Sequence, residues 1–455
     1  MSQPTTETIL SGPSLKGMDA YTSVMDIFHA SIKRFSDKPA FSCMGKLLTY
    51  RELELLSADF AAWLQHETDL EPGDRIAIQL PNVLQFPVAV FGALRAGLVV
   101  VNTNPLYTER EMQHQFSDSG AKAIVILANV ADKLERIIER TEIKHIVVTE
   151  IGDLHGFPKR QLINAVVKHV KKMVPRYSLP GHIGFRQALE KGHGLEHSDI
   201  SRNLEDTAAL QYTGGTTGLA KGAMLTHTNL IANMLQARVL MSGIFEEGSE
   251  TIVAPLPVYH IYTFTVNCLL MMDTGNHTVL ITNPRDINGF IKTLKSTRYT
   301  GFVGLNTLFN ALCNRDEFRA LDFSSLKLTI SGGMALTKAA AKRWEEVTGC
   351  AVTEGYGLTE TSPIVSFNPP EAIQLGTIGK PVSGTSVKVI DGDDKSLPFG
   401  EMGELCVKGP QVMKGYWQRP AETARCSTMK DGCGPAISRY SRMMAIFASS
   451  IARRT

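Results

Sequence analysis

The chain has 455 residues, 43% of them hydrophobic and 20% charged, with a formal net charge of +2. That length suits two or three folded units, and the near-neutral balance gives no sign of a nucleic-acid partner. The N-terminus is polar and lacks a basic-then-apolar secretory pattern.

In chain order, Leu48 opens an amphipathic helix that runs to about Gln65, and Arg75–Leu80 alternates like a strand. A helix over Gln85–Ala96 and a strand over Val99–Val101 follow. Ala123–Leu127 and His145–Thr149 are short apolar strands. Lys159–Arg176 is a basic amphipathic stretch, in which Lys168, Lys171 and Lys172 flank Val166, Val167 and Val170. A surface helix packed on its own domain is the favoured reading, and contact with an anionic membrane the alternative. Asp206–Tyr212 reads as a strand, and Met224–Leu230 leads into a helix. Thr251–Ala254, Thr278–Ile281 and Leu328–Ile330 are strand-like, and 386–407 changes to short strands and turns.

Strands alternating with helices predict an α/β protein with two stacked doubly wound α/β subdomains, 1–200 and 201–385. A small β-rich subdomain at 386–424 and a tail without a clear fold at 425–455 complete the expected organisation. The apolar runs at 86–101 and 251–272 are interrupted by Arg95, prolines and His260, so neither reads as a membrane span. Seven scattered cysteines without a CxxC pair suit a reducing, cytoplasmic setting better than disulfides or zinc.

The densest chemical signal is Thr213-Gly214-Gly215-Thr216-Thr217-Gly218-Leu219-Ala220-Lys221-Gly222. Glycines let backbone N–H groups turn toward an anion, threonine hydroxyls add donors, and Lys221 adds a point charge. The set suits a triphosphate. It is not a Walker A loop, because the Gly-Lys-Ser/Thr order is missing.

With two further stretches, Tyr356-Gly357-Leu358-Thr359-Glu360-Thr361 and Gly400–Leu405 with Gly415-Tyr416-Trp417, the chain resembles the adenylate-forming acyl-CoA synthetases. Leu256–Ile261 and Gly301–Thr307 are most similar to the bacterial long-chain fatty-acid–CoA ligases of that family. The likeness runs from about Asp37 to about Thr423. It implies ATP-dependent activation of a fatty acid to an acyl-adenylate, then transfer to CoA. It implies that the loop Thr213, Gly214, Gly215, Thr216, Thr217, Gly218 and Lys221 holds the β- and γ-phosphates. Thr213 and Glu360 would sit near Mg2+, and Gly332 and Gly333 would border adenine. Gly355 and Gly357 would allow Tyr356 to approach the base, and Thr359 would bond the α-phosphate. His260 would meet the acyl carboxylate, so the expected catalytic set is Lys221, His260, Thr359 and Glu360. Val303-Gly304-Leu305 and the apolar run after His260 are expected to line an alkyl tunnel. Implied partners are fatty acid, ATP and CoA, with peripheral membrane contact and a homodimer as further expectations.

The likeness stops near Ala424, where the family continues with an RTGD-like segment, a hinge and a mobile C-terminal domain carrying a lysine. Cys433–Ser438 and Met443–Ala445 back-translate to codons that, one nucleotide earlier, permit Arg-Thr-Gly-Asp-Ile and Asp-Asp-Gly. A reading-frame shift before Cys433 is therefore expected, and with it little or no thioester-forming activity. A ligase for another carboxylate and a catalytically dead nucleotide- or fatty-acid-binding fragment are the alternatives.

Overall fold

A computed structural model of the chain describes residues 9–214, 219–398, 400–426 and 441–446. Two large sheets dominate. The eight-stranded sheet has the order 415–416, 221–226, 207–213, 99–102, 75–79, 121–127, 145–149, 183–184. The nine-stranded sheet has the order 380–381, 364–367, 352–357, 328–332, 301–304, 251–254, 277–280, 39–43, 46–49. The centres of both are parallel, as the alternation of strands and helices requires. Each sheet draws strands from both sides of position 200. The second takes its edge hairpin from Pro39–Thr49.

Parallel strands covered on both faces read as continuous apolar runs, and the two-residue period splits each run between two cores. Val100 and Val125 join the large core between the sheets, whereas Val99, Val101 and Ile124 join a second core on the outer face. The other sheet has its own outer core around Phe302, Phe309 and Trp344. The helix Gln85–Arg95 is buried at every position, and His227–Met241 nearly so, as for helices covered on both sides.

Some boundaries differ from the sequence reading. The first long helix begins at Tyr50, because Thr49 and Glu52 form a capping box and Lys46–Thr49 is already strand. The basic stretch is helical only over Lys159–Ala165 and forms a π-helical turn over Val166–Val170. Neither piece fully buries a residue, but the helix rests on its own domain: Asn164 accepts from the Gly152 N–H at 2.8 Å and donates to Asp153 at 3.2 Å.

A five-stranded sheet joins Ile9–Ser11, Ser386–Ile390, Ser396–Leu397, Gly403–Lys408 and Ser441–Ile446. Its last strand, and a short helix over Pro420–Cys426, fall in or next to the stretch expected to lack a fold. The rest of that stretch, with Cys433–Ser438, lies outside the described residues. Among the described residues, no helix is long and apolar enough to cross a membrane.

Candidate active site

The glycine-rich segment lies between two paired strands, where the sequence suggested a strand leading toward a helix. Thr207–Thr213 runs antiparallel to Lys221–Thr226, with Lys221 directly opposite Thr213. Antiparallel neighbours in register bring two side chains within one strand spacing. The helix starts only at His227, capped by Thr226.

The hairpin is held from its far edge. Gly415–Tyr416 pairs with Ala223 and Met224, and the Trp417 N–H donates to the Gly222 carbonyl at 2.8 Å. Asp118 secures this edge by accepting from the Tyr212 hydroxyl at 2.8 Å and pairing with Arg419. Tyr416 is thereby placed against the loop. Its hydroxyl donates to Glu360 Oε1 at 2.7 Å, and Lys221 Nζ lies 4.9 Å from its ring centre. Burial, then the Glu360 charge, raises the Tyr416 phenol pKa, so it remains a donor at neutral pH. Lys221 Nζ also contacts Glu422 Oε2 at 2.5 Å, and this hydrogen bond lowers the Glu422 pKa.

Glu360 lies in a short 3-10 turn, Thr359–Thr361, that follows the strand Val352–Gly357. Gly357 is compulsory in this turn. A Cβ there would stand 2.0 Å from the Pro363 carbonyl oxygen. Gly333, at φ +86°, turns the chain beyond the neighbouring strand Leu328–Gly332. Burial, then Glu360, raises the Tyr356 pKa, and its ring is half-buried between these turns.

His260 comes from a loop locked by two polar side chains of the other sheet's region. Asn82 donates to the Ala254 and Leu256 carbonyls, each at 2.9 Å, and accepts from the Val258 N–H at 2.9 Å. Gln211 donates to the Tyr259 carbonyl at 2.8 Å. His260 Nδ1 accepts from the Tyr262 N–H at 3.3 Å, which leaves Nε2 as the donor of a neutral ring. The ring is exposed in the cavity wall, yet surrounded by enough protein that desolvation lowers its pKa.

These parts enclose a cavity of about 660 Å3. Thr213, Gly214, Lys221, His260, Gly332, Gly333, Gly355, Tyr356, Gly357, Thr359 and Glu360 all line it. Gly215, Thr216, Thr217 and Gly218 lie outside the described residues. Val303, Gly304 and Leu305, expected along the tunnel, are absent from its wall, because Val303 is fully buried in the core. From the apolar run after His260, Val266 does line the cavity as expected, and Leu240, Met241 and Ile330 complete its apolar wall. Tyr262 also lines the cavity, and its buried hydroxyl has no partner among the described residues. Sequence reading missed Asp118, Asn82 and Gln211. A glutamine inside the apolar strand Ala208–Tyr212 was the one available signal for Gln211.

Lys221 opposite Thr213, a glycine-walled slot beside Tyr356 and the Glu360 carboxylate thus face a single cavity. A sequence profile of AMP-binding enzymes matches residues 28–417, and the chain belongs to that family. It is 50% identical over 406 residues to a long-chain-fatty-acid–CoA ligase of Escherichia coli O6:H1, covering 89% of this chain and 72% of the relative. A long-chain-fatty-acid–CoA ligase of Bacillus subtilis is 35% identical over 416 residues, covering 90% and 73%. The crystal structure of a long-chain-fatty-acid–CoA ligase from Archaeoglobus fulgidus matches with a TM-score of 0.78 at 24% identity. That match covers 95% of this chain and 82% of the other, and shows a shared α/β fold.

Proposed function

We propose that this chain activates a long-chain fatty acid with ATP and passes the acyl group to CoA. A carboxylate oxygen attacks the α-phosphorus, the bond to the β-phosphate oxygen breaks, and pyrophosphate leaves. The CoA thiolate then attacks the acyl carbon, and the bond to AMP breaks. Both steps move charge on phosphate oxygens, so positioned cations and donors carry the catalysis. The supporting observation is that Thr213, Gly214, Lys221, Gly332, Gly333, Gly355–Glu360 and His260 converge on one cavity that also has an apolar wall.

In this reading Lys221 and the loop hold the β- and γ-phosphates, and Thr359 bonds the α-phosphate. Tyr356 packs on adenine between Gly355 and Gly357. His260 Nε2–H steadies the acyl carboxylate. Thr213 and Glu360 fit a Mg2+ that takes its other ligands from phosphate and water, since one hydroxyl and one carboxylate suit a hard cation but form no cage. Bound there, the ion would offset phosphate charge.

Exchange of labelled pyrophosphate into ATP tests the proposal, and hexadecanoate is expected to stimulate it. Stimulation by aryl acids alone would redirect the substrate. Binding of ATP and fatty acid without exchange would make the chain a binding module.

We also infer contact with an anionic membrane surface. Phe157, Leu162, Val170 and Met173 are exposed, Phe157 at 85%, among Lys159, Arg160, Lys168, Lys171 and Lys172. Apolar side chains enter the interface while lysines meet anionic headgroups. Lys168→Glu, Lys171→Glu and Lys172→Glu together should reduce sedimentation with anionic vesicles, and unchanged sedimentation rejects the contact.

A further inference from the structure

Beside the main cavity lies a second one of about 200 Å3, and Met241 lines both. On the first side Met241 adjoins the apolar wall with Leu240 and Val266. On the second it faces a pocket lined by Phe245, Leu270 and Met271. Arg238 lines that pocket too, with its charge already answered by Glu247 and Asp273, each at 3.0 Å. Ser242, Glu247, Thr274 and Asn276 line its polar side, so an alkyl end entering there packs along Phe245, Leu270 and Met271.

Met241 is 5% exposed and is the last residue of the helix His227–Met241. Ser242 leaves the helix in extended conformation, and Gly243 follows at φ +84°. A helix end followed by such a turn repacks more readily than a mid-helix position. An unbranched thioether with three rotatable bonds is the side chain best able to swing aside.

We propose that Met241 is the length gate of the acyl site. Chains that fit the main cavity stop against its thioether, and longer chains displace it and extend into the second pocket. The inference rests on the fatty-acid reading of the main cavity and adds the residue that sets chain length.

Displacement of a fluorescent fatty acid from the full chain, by octanoate and by hexadecanoate, tests it. Each newly buried methylene strengthens binding by about fourfold, so closing the gate should cost the long acid at least about tenfold. Met241→Trp is therefore expected to weaken hexadecanoate by that factor and leave octanoate within about twofold. Met241→Ala should hold or raise the preference for hexadecanoate. Retained octanoate binding reports an intact fold, and Met241→Phe serves as a smaller block should tryptophan unfold the chain. Equal weakening of both acids by a folded variant, or no change in either, overturns the gate while leaving the acyl site standing. A parent chain that binds neither acid overturns the fatty-acid reading itself and the gate with it.

Discussion

Along the wall formed by Lys221, Tyr416 and Glu360, with Glu422 paired to Lys221, polar side chains reach one another from separate elements. Along the wall formed by Gly332, Gly355 and Gly357, backbone packs against backbone, within 3.3 Å of a Cβ built on Gly332 and 2.0 Å of one on Gly357. Charge pairs near solvent are weak and exchangeable, whereas close packing is strong and intolerant. The first wall is therefore suited to trading partners when a polyanion arrives. The second is suited to holding a flat ring in a fixed slot.

The largest expected effect comes from breaking the packed wall. Gly357→Ala should destabilise the fold by about 4 kcal/mol, read as a lowered urea midpoint, because its methyl would overlap the Pro363 carbonyl. An unchanged midpoint would mean that this turn is pliable. Next in size is a titration in the core between the sheets. His227 accepts from the Val24 N–H at 3.1 Å, and burial lowers its pKa from 6.5 to about 4. The folded state favours the neutral ring, so its contribution is complete above pH 6.5 and drains away as the pH falls toward 4. The loss amounts to about 3 kcal/mol, and His227→Gln should flatten the acid limb of a stability–pH curve.

The charged wall should give smaller changes, of opposite sign at its two ends. Lys221→Ala should weaken ATP binding by about tenfold in calorimetry, the scale of one charge-assisted hydrogen bond, with the melting temperature nearly unchanged. Glu422→Gln removes a competitor for Lys221 and should strengthen ATP binding by about twofold, since an exposed ion pair contributes less than about 1 kcal/mol. Equal weakening by both variants would show Glu422 acting with the phosphate site and not against it.

How legible each part was follows the same physical divide. Apolar runs such as His145–Thr149 and Gln85–Arg95 announced themselves, because burial on both faces leaves a local signature. The loop and the Tyr356–Glu360 motif were legible because glycine, threonine and lysine cluster within ten residues or fewer. The hairpin Pro39–Thr49 and the strand at Lys221 were not, since their partners lie across a turn or far along the chain. The Asn82 and Gln211 bonds were hidden for that reason too: a hydrogen bond to another segment's backbone leaves no periodicity. Of the two stretches expected beside an alkyl chain, the run after His260 supplies Val266 to the cavity wall while Val303 is core, a difference that only packing reveals.

The hairpin Pro39–Thr49 has a consequence for how the molecule is made. Pro39–Cys43 pairs in parallel with His277–Leu280, about 240 residues later. During synthesis this edge emerges long before its neighbour exists. Its exposed rim needs shelter from other nascent chains, and the sheet closes only after most of the polypeptide has left the ribosome.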